Sequence, residues 1–313
     1  MGSKFAPSAR RTVWAGAFFC AVTVHPAGAA EGDCRDLDVS YDTAKSGMTS
    51  IQRNAILFTA SSRGCVALAG RLLTDGASLE ARDRAGAMAL AHAARGGNVA
   101  LVERFLATGA PIDARDLIGG TALYAAAESD RPSTVALLVA RGADPNLTGR
   151  SGVSPLAAAA YKGNDRIVEL LLSRGADPNL MDTTGKAAIV YAAGRGFDVV
   201  VRRLLDAGVG PTLRYGNDLT ALMWAAGPED GVGARAAASV IELLMERGAV
   251  IDAADNRGRT ALMIAAERGD PDIVDMLLRY GADPARSDKS GKTARDLSAN
   301  AAVRERLGRG GAT

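Results

Sequence analysis

"RGADPNL" stands at Arg141–Leu147 and again, letter for letter, at Arg174–Leu180. If these seven residues belong to a longer unit, the glycine inside them should recur at a fixed spacing. Gly76, Gly109, Gly142, Gly175, Gly208, Gly248 and Gly281 are separated by 33, 33, 33, 33, 40 and 33 residues, and each is followed by Ala except at Val209. A second set, Gly86, Gly119, Gly152, Gly185 and Gly258, leads the next glycine of the first set by 23 residues. Two markers locked to one period predict an array of repeated structural units.

Local chemistry says what one unit is. Leu123, Ala126 and Ala127 recur at spacings of three and four, which puts them on one face of a short first helix where small residues let a neighbour approach closely. Val135, Leu137 and Leu138 give a second helix a broad apolar face. Arg141-Gly142 ends that helix, because glycine adopts the left-handed C-cap that a Cβ penalises. Asp144-Pro145 starts the extended turn, since proline cannot continue a helix. The repeated heptapeptide is therefore a helix stop and a turn, not a duplicated chemical site.

The segment "GRTALMIAAERGDPDIVDMLLRYGAD" (Gly258–Asp283) resembles the ankyrin repeat. It follows that family's Gly-x-Thr-Pro-Leu-His-x-Ala-Ala motif, with Ala261 in the proline slot and Met263 in the histidine slot; the copy from Gly152 keeps Pro155 and Leu156. The resemblance covers residues 51–288 and implies an all-α solenoid of helix-turn-helix units joined by hairpin turns. Seven units start near Ile51, Arg84, Leu117, Arg150, Thr183, Gly216 and Asn256. A degenerate capping repeat and tail fill 289–313, where Arg295, Asp296, Arg304, Glu305 and Arg306 suit a solvent-facing helix pair. Phe58, Ser61 and Ser62 mark the opposite cap. Each unit alone would expose its apolar faces, so stability should come from stacking neighbours. Seven extra residues between Ala226 and Ser239 lengthen the interhelical turn of the sixth unit and are expected to form a tolerated surface loop, with a binding loop as the alternative.

The N-terminus reads as a leader. Lys4, Arg10 and Arg11 precede the apolar run Thr12–Val24, and His25-Pro26 and Ala27-Gly28-Ala29 follow it, the layout of a signal peptide spanning 1–29. Its apolar run falls short of the roughly 20 residues that span a bilayer. Arg10-Arg11-Thr12-Val13-Trp14 also has the shape of a twin-arginine signal, and both export routes stay open. Either places the mature chain outside the cytoplasm, in a bacterial periplasm or secreted. Removing Lys4, Arg10 and Arg11 and no acid takes the formal charge from +2 to −1. Such a chain carries no electrostatic footprint for nucleic acid or an anionic membrane. Residues 30–50 lack the repeat signature and form an N-terminal segment ahead of the array. Loss of Cys20 leaves Cys34 and Cys65, which in an oxidising compartment are expected to form a disulfide closing a loop of about 30 residues, worth roughly 3–4 kcal/mol by loop entropy.

Constellations for catalysis are not met. Beyond the leader the only histidine is His92, in a first-helix slot that elsewhere holds Ala125, Ala158, Tyr191, Trp224 and Ile264, and it is expected to be a structural histidine. One His and two distant Cys are too few for a conventional zinc site. Ser151 lacks the Gly-x-Ser-x-Gly elbow, because Val153 stands where the second glycine belongs. Gly291-Lys292-Thr293 has Arg286 where a phosphate loop needs glycine, and Gly194-Arg195-Gly196 has no third glycine. Asp83, Asp116, Asp182, Asp255 and Asp288 recur at the repeat period as turn and cap residues. No catalytic, cofactor-binding or metal-binding residue is expected, and the chain is read as not an enzyme.

In the ankyrin family, partners bind a concave surface made by the turns and first helices. Carried over by position, the turn tips here hold Arg82, Arg84, Arg115, Leu117, Ile118, Arg150, Met181, Arg214, Tyr215, Asn217, Asn256 and Arg257. The exposed end of the first helix holds Arg95, Glu128, Tyr161, Lys162, Arg195, Glu267 and Arg268. Arginines and aromatics dominate binding hot spots, so this basic and apolar stripe points to an acidic or amphipathic protein partner. Tyr191 and Trp224, in one slot of adjacent repeats, either stack as core or border this surface, and core is the preferred reading. At 8–10 Å per helix, the array would offer a face about 60–70 Å long, ample for roughly 800 Å² per partner. The reading is an exported protein-binding module or scaffold; the alternatives are an immunity or inhibitor protein that blocks an exported toxin or enzyme, and an effector delivered to a host cell. Mass spectrometry of unreduced, alkylated protein starting at Ala30 should find neither Cys34 nor Cys65 labelled; two labelled thiols would overturn the disulfide.

Overall fold

Alanine decides how the units stack. In the computed structural model, which describes residues 32–309, a lone helix α1 (Gly32–Ala44) precedes eight helix pairs. The leader expected at 1–29, with Cys20, lies outside the described residues. The first helices are α2 (Ser50–Arg63), α4 (Ala89–Gly96), α6 (Ala122–Glu128), α8 (Pro155–Lys162), α10 (Ala188–Gly194), α12 (Ala221–Ala226), α14 (Ala261–Arg268) and α16 (Ala294–Leu297). They alternate with second helices α3 (Val66–Thr74), α5 (Val99–Ala107), α7 (Pro132–Ala140), α9 (Asp165–Ser173), α11 (Asp198–Asp206), α13 (Ala234–Glu246), α15 (Pro271–Arg279) and α17 (Ala301–Arg309). Six first helices carry fully buried alanine pairs, such as Ala126-Ala127 and Ala159-Ala160. With only methyl groups between them, first helices approach one another more closely than second helices do. The first-helix row is therefore the inside of the curve.

The second helices supply the bulk of the core. Leu101, Val102 and Phe105 of α5, Ile167, Val168 and Leu171 of α9, and Ile273, Val274 and Leu277 of α15 are buried at the same three register positions. Each such Leu is worth about 1.5–3 kcal/mol of burial. Helix ends obey the sequence signals: Thr121, Ser154, Thr220, Thr260 and Thr293 each cap a first helix by accepting a backbone N–H three residues on. Gly142, φ +90, terminates α7, and a Cβ there would touch nothing within 4 Å, so the demand for glycine is conformational.

Between units, the recurring aspartate organises the turn. Asp83 Oδ1 accepts the N–H groups of Ala85 (2.8 Å) and Ala87 (2.9 Å), and Asp116, Asp182, Asp255 and Asp288 do the same in their own turns. Gly149 and Tyr215 occupy that slot in the other two turns. Those are the turns that wind into short 3-10 segments, Arg150–Gly152 and Gly216–Asp218, with Ser151, Asn217 and Asp218 at positive φ. Main-chain bonds tie neighbouring tips together, Leu117 N–H to Ala85 O (2.9 Å) and Lys289 N–H to Arg257 O (2.9 Å) among them.

Both ends are closed. Helix α1 is fastened to the first pair by the Cys34–Cys65 disulfide, by Arg71 to Asp42 (2.8 Å) and Asp38, and by buried Tyr41, whose hydroxyl donates to Asp75. At the other end α17 buries Val303 and Leu307 while Arg304 and Glu305 face solvent. The sixth unit departs from the expected loop extension. Its second helix, α13, is 13 residues long where α11 has 9, so part of the insertion is an extra helical turn. The remaining loop, 227–233, is anchored: Glu229 N–H donates to Gly194 O (2.9 Å) and Pro228 is buried.

His92 is held by three contacts. Its Nε2 lies 2.8 Å from Asp83 Oδ2, its Nδ1 3.2 Å from Ser62 Oγ, and its ring stacks on Phe58 at 5.2 Å. Burial pushes the imidazole below the ordinary histidine value, against the opposing pull of Asp83. The unfolded chain then binds the proton more readily, so this histidine contributes stability above about pH 6.5 that is lost as pH falls through that value towards the lower folded-state pKa. Burial opposes ionisation of Asp83, yet the bonds from Ala87, His92 and Ala85 hold its carboxyl below the usual range, and its own window lies at more acid pH. In urea unfolding at pH 7.5 and 5.5, the native protein should lose more stability across the interval than His92→Gln; equal losses would overturn this account.

Candidate partner-binding surface

The tip residues singled out by sequence divide into two groups once their contacts are known. Arg84 and Arg150 at the tips, and Lys162 at the far end of first helix α8, are exposed and, among the described residues, in no ion pair. Leu117 (78% exposed), Ile118 and Met181 project apolar surface at the tips. Asn217 and Asn256 are exposed and bond weakly to each other across adjacent tips, at 3.4 Å. These residues are available to a partner.

The other tip arginines are occupied by the fold. Arg82 Nη1 donates to Gly86 O (2.7 Å) and to Arg115 O of the next tip (2.7 Å). Arg115 repeats this with Gly119 O (3.0 Å) and Thr148 O (2.9 Å), and Arg214 with Asp218 O (3.2 Å) and Ala254 O (2.7 Å). One guanidinium thus latches two turns, the geometry a planar fork of donors suits. Arg257 is held on its own turn by Asp255 (3.1 Å). Tyr215 is a correction: read as a tip contact, it is 4% exposed, and burial raises its hydroxyl to about 12. It stands in the slot of the turn aspartate and is core.

On the first-helix ends, charge is paired within the chain. Glu267 accepts from Arg259 (2.5 Å), and Glu128, half-buried, accepts from the Tyr124 hydroxyl (3.1 Å). Arg195 pairs with Glu229 (3.2 Å), and Arg268 with Asp230 (2.9 Å) and Pro228 O (2.7 Å), so both hold the inserted loop. Arg95 is exposed at the end of α4. Sequence reasoning missed one feature. Tyr161, Tyr191 and Trp224 sit on adjacent first helices α8, α10 and α12, with Tyr161 edge-on to Tyr191 at 6.0 Å. Arg195 lies 4.6 Å over Tyr161, and Lys186 Nζ lies 4.8 Å over Trp224 and 5.7 Å over Tyr191. Tyr191 and Trp224 are half-buried and border the surface instead of being core. The signal was Lys186, a cation in a slot that holds Ala87, Gly120, Val153 and Leu219 in four other turns and Arg259 and Lys292 in two more, and it alone of the three has aromatic residues at Tyr191 and Trp224 beside it.

Ser62, His92 and Asp83 fall in line, a juxtaposition the sequence did not suggest. Ser62 lies in the last turn of α2, where carbonyls are presented, and the N–H groups of Gly64 and Cys65 beyond it both donate to Ala60 O. An acyl-transfer centre needs such donors aimed at a developing oxyanion; here they close the helix. Among the described residues no group of His, Cys, Asp and Glu is placed to hold a metal ion, and no helix is long and apolar enough to cross a membrane.

Stacked helix pairs with bonded turn tips and a concave first-helix row define a repeat scaffold. The family described as Ankyrin repeats (3 copies) matches residues 57–149, 156–234 and 209–288, and the chain belongs to it. It is similar to the human ASB11 ankyrin repeat domain, with a TM-score of 0.64 at 25% identity, over 71% of this chain and 96% of that one. Two curated relatives are "Ankyrin repeat domain-containing protein 63" of Homo sapiens, 43% identical over 56 residues, and of Mus musculus, 43% over 53. Those matches span 18% and 17% of this chain and only 15% and 14% of the relatives' length. The chain is thus an all-α ankyrin solenoid, an architecture for protein–protein interaction.

The division of the arginines is testable by stability. Bonds from a charged donor are worth about 1.5–3 kcal/mol, reduced to roughly 1 kcal/mol at an exposed site. Arg115→Gln should cost about that much and speed hydrogen exchange in the turns at Gly119 and Thr148, whereas Arg84→Gln should leave both unchanged. Identical behaviour of the two variants would remove the latch.

Proposed function

We propose that this chain is an exported, non-enzymatic scaffold that binds an acidic or amphipathic partner protein on its concave face, outside the cytoplasm. The observation that carries the reading is the set of unpaired cations, Arg84 and Arg150 at the turn tips with exposed Leu117, Ile118 and Met181, and Lys162 at the end of first helix α8. Apolar side chains at exposed tips cost solubility and are explained by a partner that covers them, and flanking cations favour a partner of opposite charge. The Cys34–Cys65 bond supports export, because such bonds persist in oxidising compartments. The leader signature at 1–29 supports the same route.

The test compares three immobilised proteins starting at Ala30, exposed to periplasmic extract: the native chain, a triple variant Arg84→Glu, Arg150→Glu, Lys162→Glu, and a control Arg279→Glu on second helix α15. Arg115 and Arg214 are left intact, since reversing them would also open the turns. A protein held by the native chain and the control but lost from the triple variant is the expected result. Retention by all three would remove these cations from the interface.

A further inference from the structure

Resting on the concave face as the binding face, we propose that its middle section, Lys186 on the Tyr161–Tyr191–Trp224 row, takes an acidic segment of the partner, a carboxylate meeting Lys186 while an apolar side chain lies along the rings. Three observations converge there. The three rings occupy neighbouring first helices, all half-buried, so they are rigid and still present a face. A chain with 14 aromatic residues spends three of them side by side on this surface. Rings of this kind supply large contact area at low entropic cost.

The second observation is charge. The two cations flanking the row already show what they accept. The chain's own loop places Glu229 on Arg195 and Asp230 on Arg268. The carboxylates stop there: Lys186 lies over Trp224 and Tyr191 and, among the described residues, is in no ion pair. The third is the state of the nearest acid. Asp182 is buried, and its oxygens accept the Thr184 and Lys186 N–H groups, the Thr184 hydroxyl and the Tyr191 hydroxyl. It fixes the turn that carries Lys186. Two cations share this slot elsewhere in the array: Arg259 is matched by Glu267 and Asp288, and Lys292, in the capping unit, lies over no ring among the described residues. Lys186 is therefore an unmatched charge on an aromatic platform, and an acidic residue next to an apolar one is the complement of both.

Trp224 makes the site self-reporting, because the only other tryptophan, Trp14, is absent from protein starting at Ala30. The probe is a synthetic peptide of Glu-Glu-Leu repeats, with a Gln-Gln-Leu peptide as control. The glutamate peptide should change Trp224 emission saturably and the glutamine peptide should not. Lys186→Gln should weaken binding about tenfold, Lys186→Arg should restore most of it, and Arg279→Gln should leave it unchanged. Equal binding of both peptides, an unchanged affinity in Lys186→Gln, or an equal loss in Arg279→Gln each overturns the proposal. The two readings fail separately. If Lys186→Gln still holds the extract partner that the tip variant loses, the ring row is wrong and the concave face stands; if both variants hold it, both fall.

Discussion

The close approach of alanine to alanine along the first helices is the constraint from which the rest follows. Methyl groups at positions such as Ala93-Ala94 and Ala225-Ala226 leave no room for larger side chains, so neighbouring first helices sit nearer than the leucine-rich second helices behind them. That difference bends the array, and the bend creates the concave face. It also dictates where large side chains can go. Tyr191 and Trp224 stand just before alanine pairs, at the rim of the close contact, and this is why a slot that reads as core by residue type ends up half-exposed.

Much of the fold was legible because its signals are local. The 33-residue period, the left-handed glycines, the threonine caps and the turn aspartates each act within a few residues of themselves, and each is where the sequence puts it. What was not legible depends on the neighbouring unit. Tyr215 looks like a tip residue by position, but it stands in the slot of the turn aspartate, where its side chain is buried. Arg82, Arg115 and Arg214 look like contact residues by type, but their partners are carbonyls a full repeat away. The inserted residues look like a loop by length, yet one end of them continues a helix because the Ala-rich stretch Ala234–Ala238 favours it.

The candidate surface inherits this ambiguity. Arginine serves two roles on the same edge: binding turn carbonyls, which strengthens the stack, and facing solvent, which leaves charge for a partner. The distinction turns on which backbone oxygens lie within reach. At the tips preceding Arg84 and Arg150 the neighbouring residue is Arg82 in one case and Thr148 in the other. Where Arg82 is present it takes the carbonyls, and Arg84 is left outward; where Thr148 replaces it, no arginine latch forms, and the turn is closed by the Gly149 N–H on Val153 O (2.9 Å).

That substitution pattern bears on where a partner would act. Latches join the first, second and third units and the fifth to the sixth, whereas Thr148 and Met181 leave the turns on either side of the fourth unit without one. In a nearly one-dimensional array, stability is set by nearest-neighbour contacts, and between the third and fourth units Asn146 ties the turns instead, donating to Gly175 O (3.0 Å) and accepting from the Asp177 N–H (2.8 Å). They are also the turns beside the Tyr161–Tyr191 pair and below exposed Met181. A ligand spanning α8 to α12 would add contacts across the fourth-to-fifth step, which has no arginine latch, and any such ligand stabilises the state it binds by mass action. Binding on this row would therefore be coupled to stacking in the middle of the array.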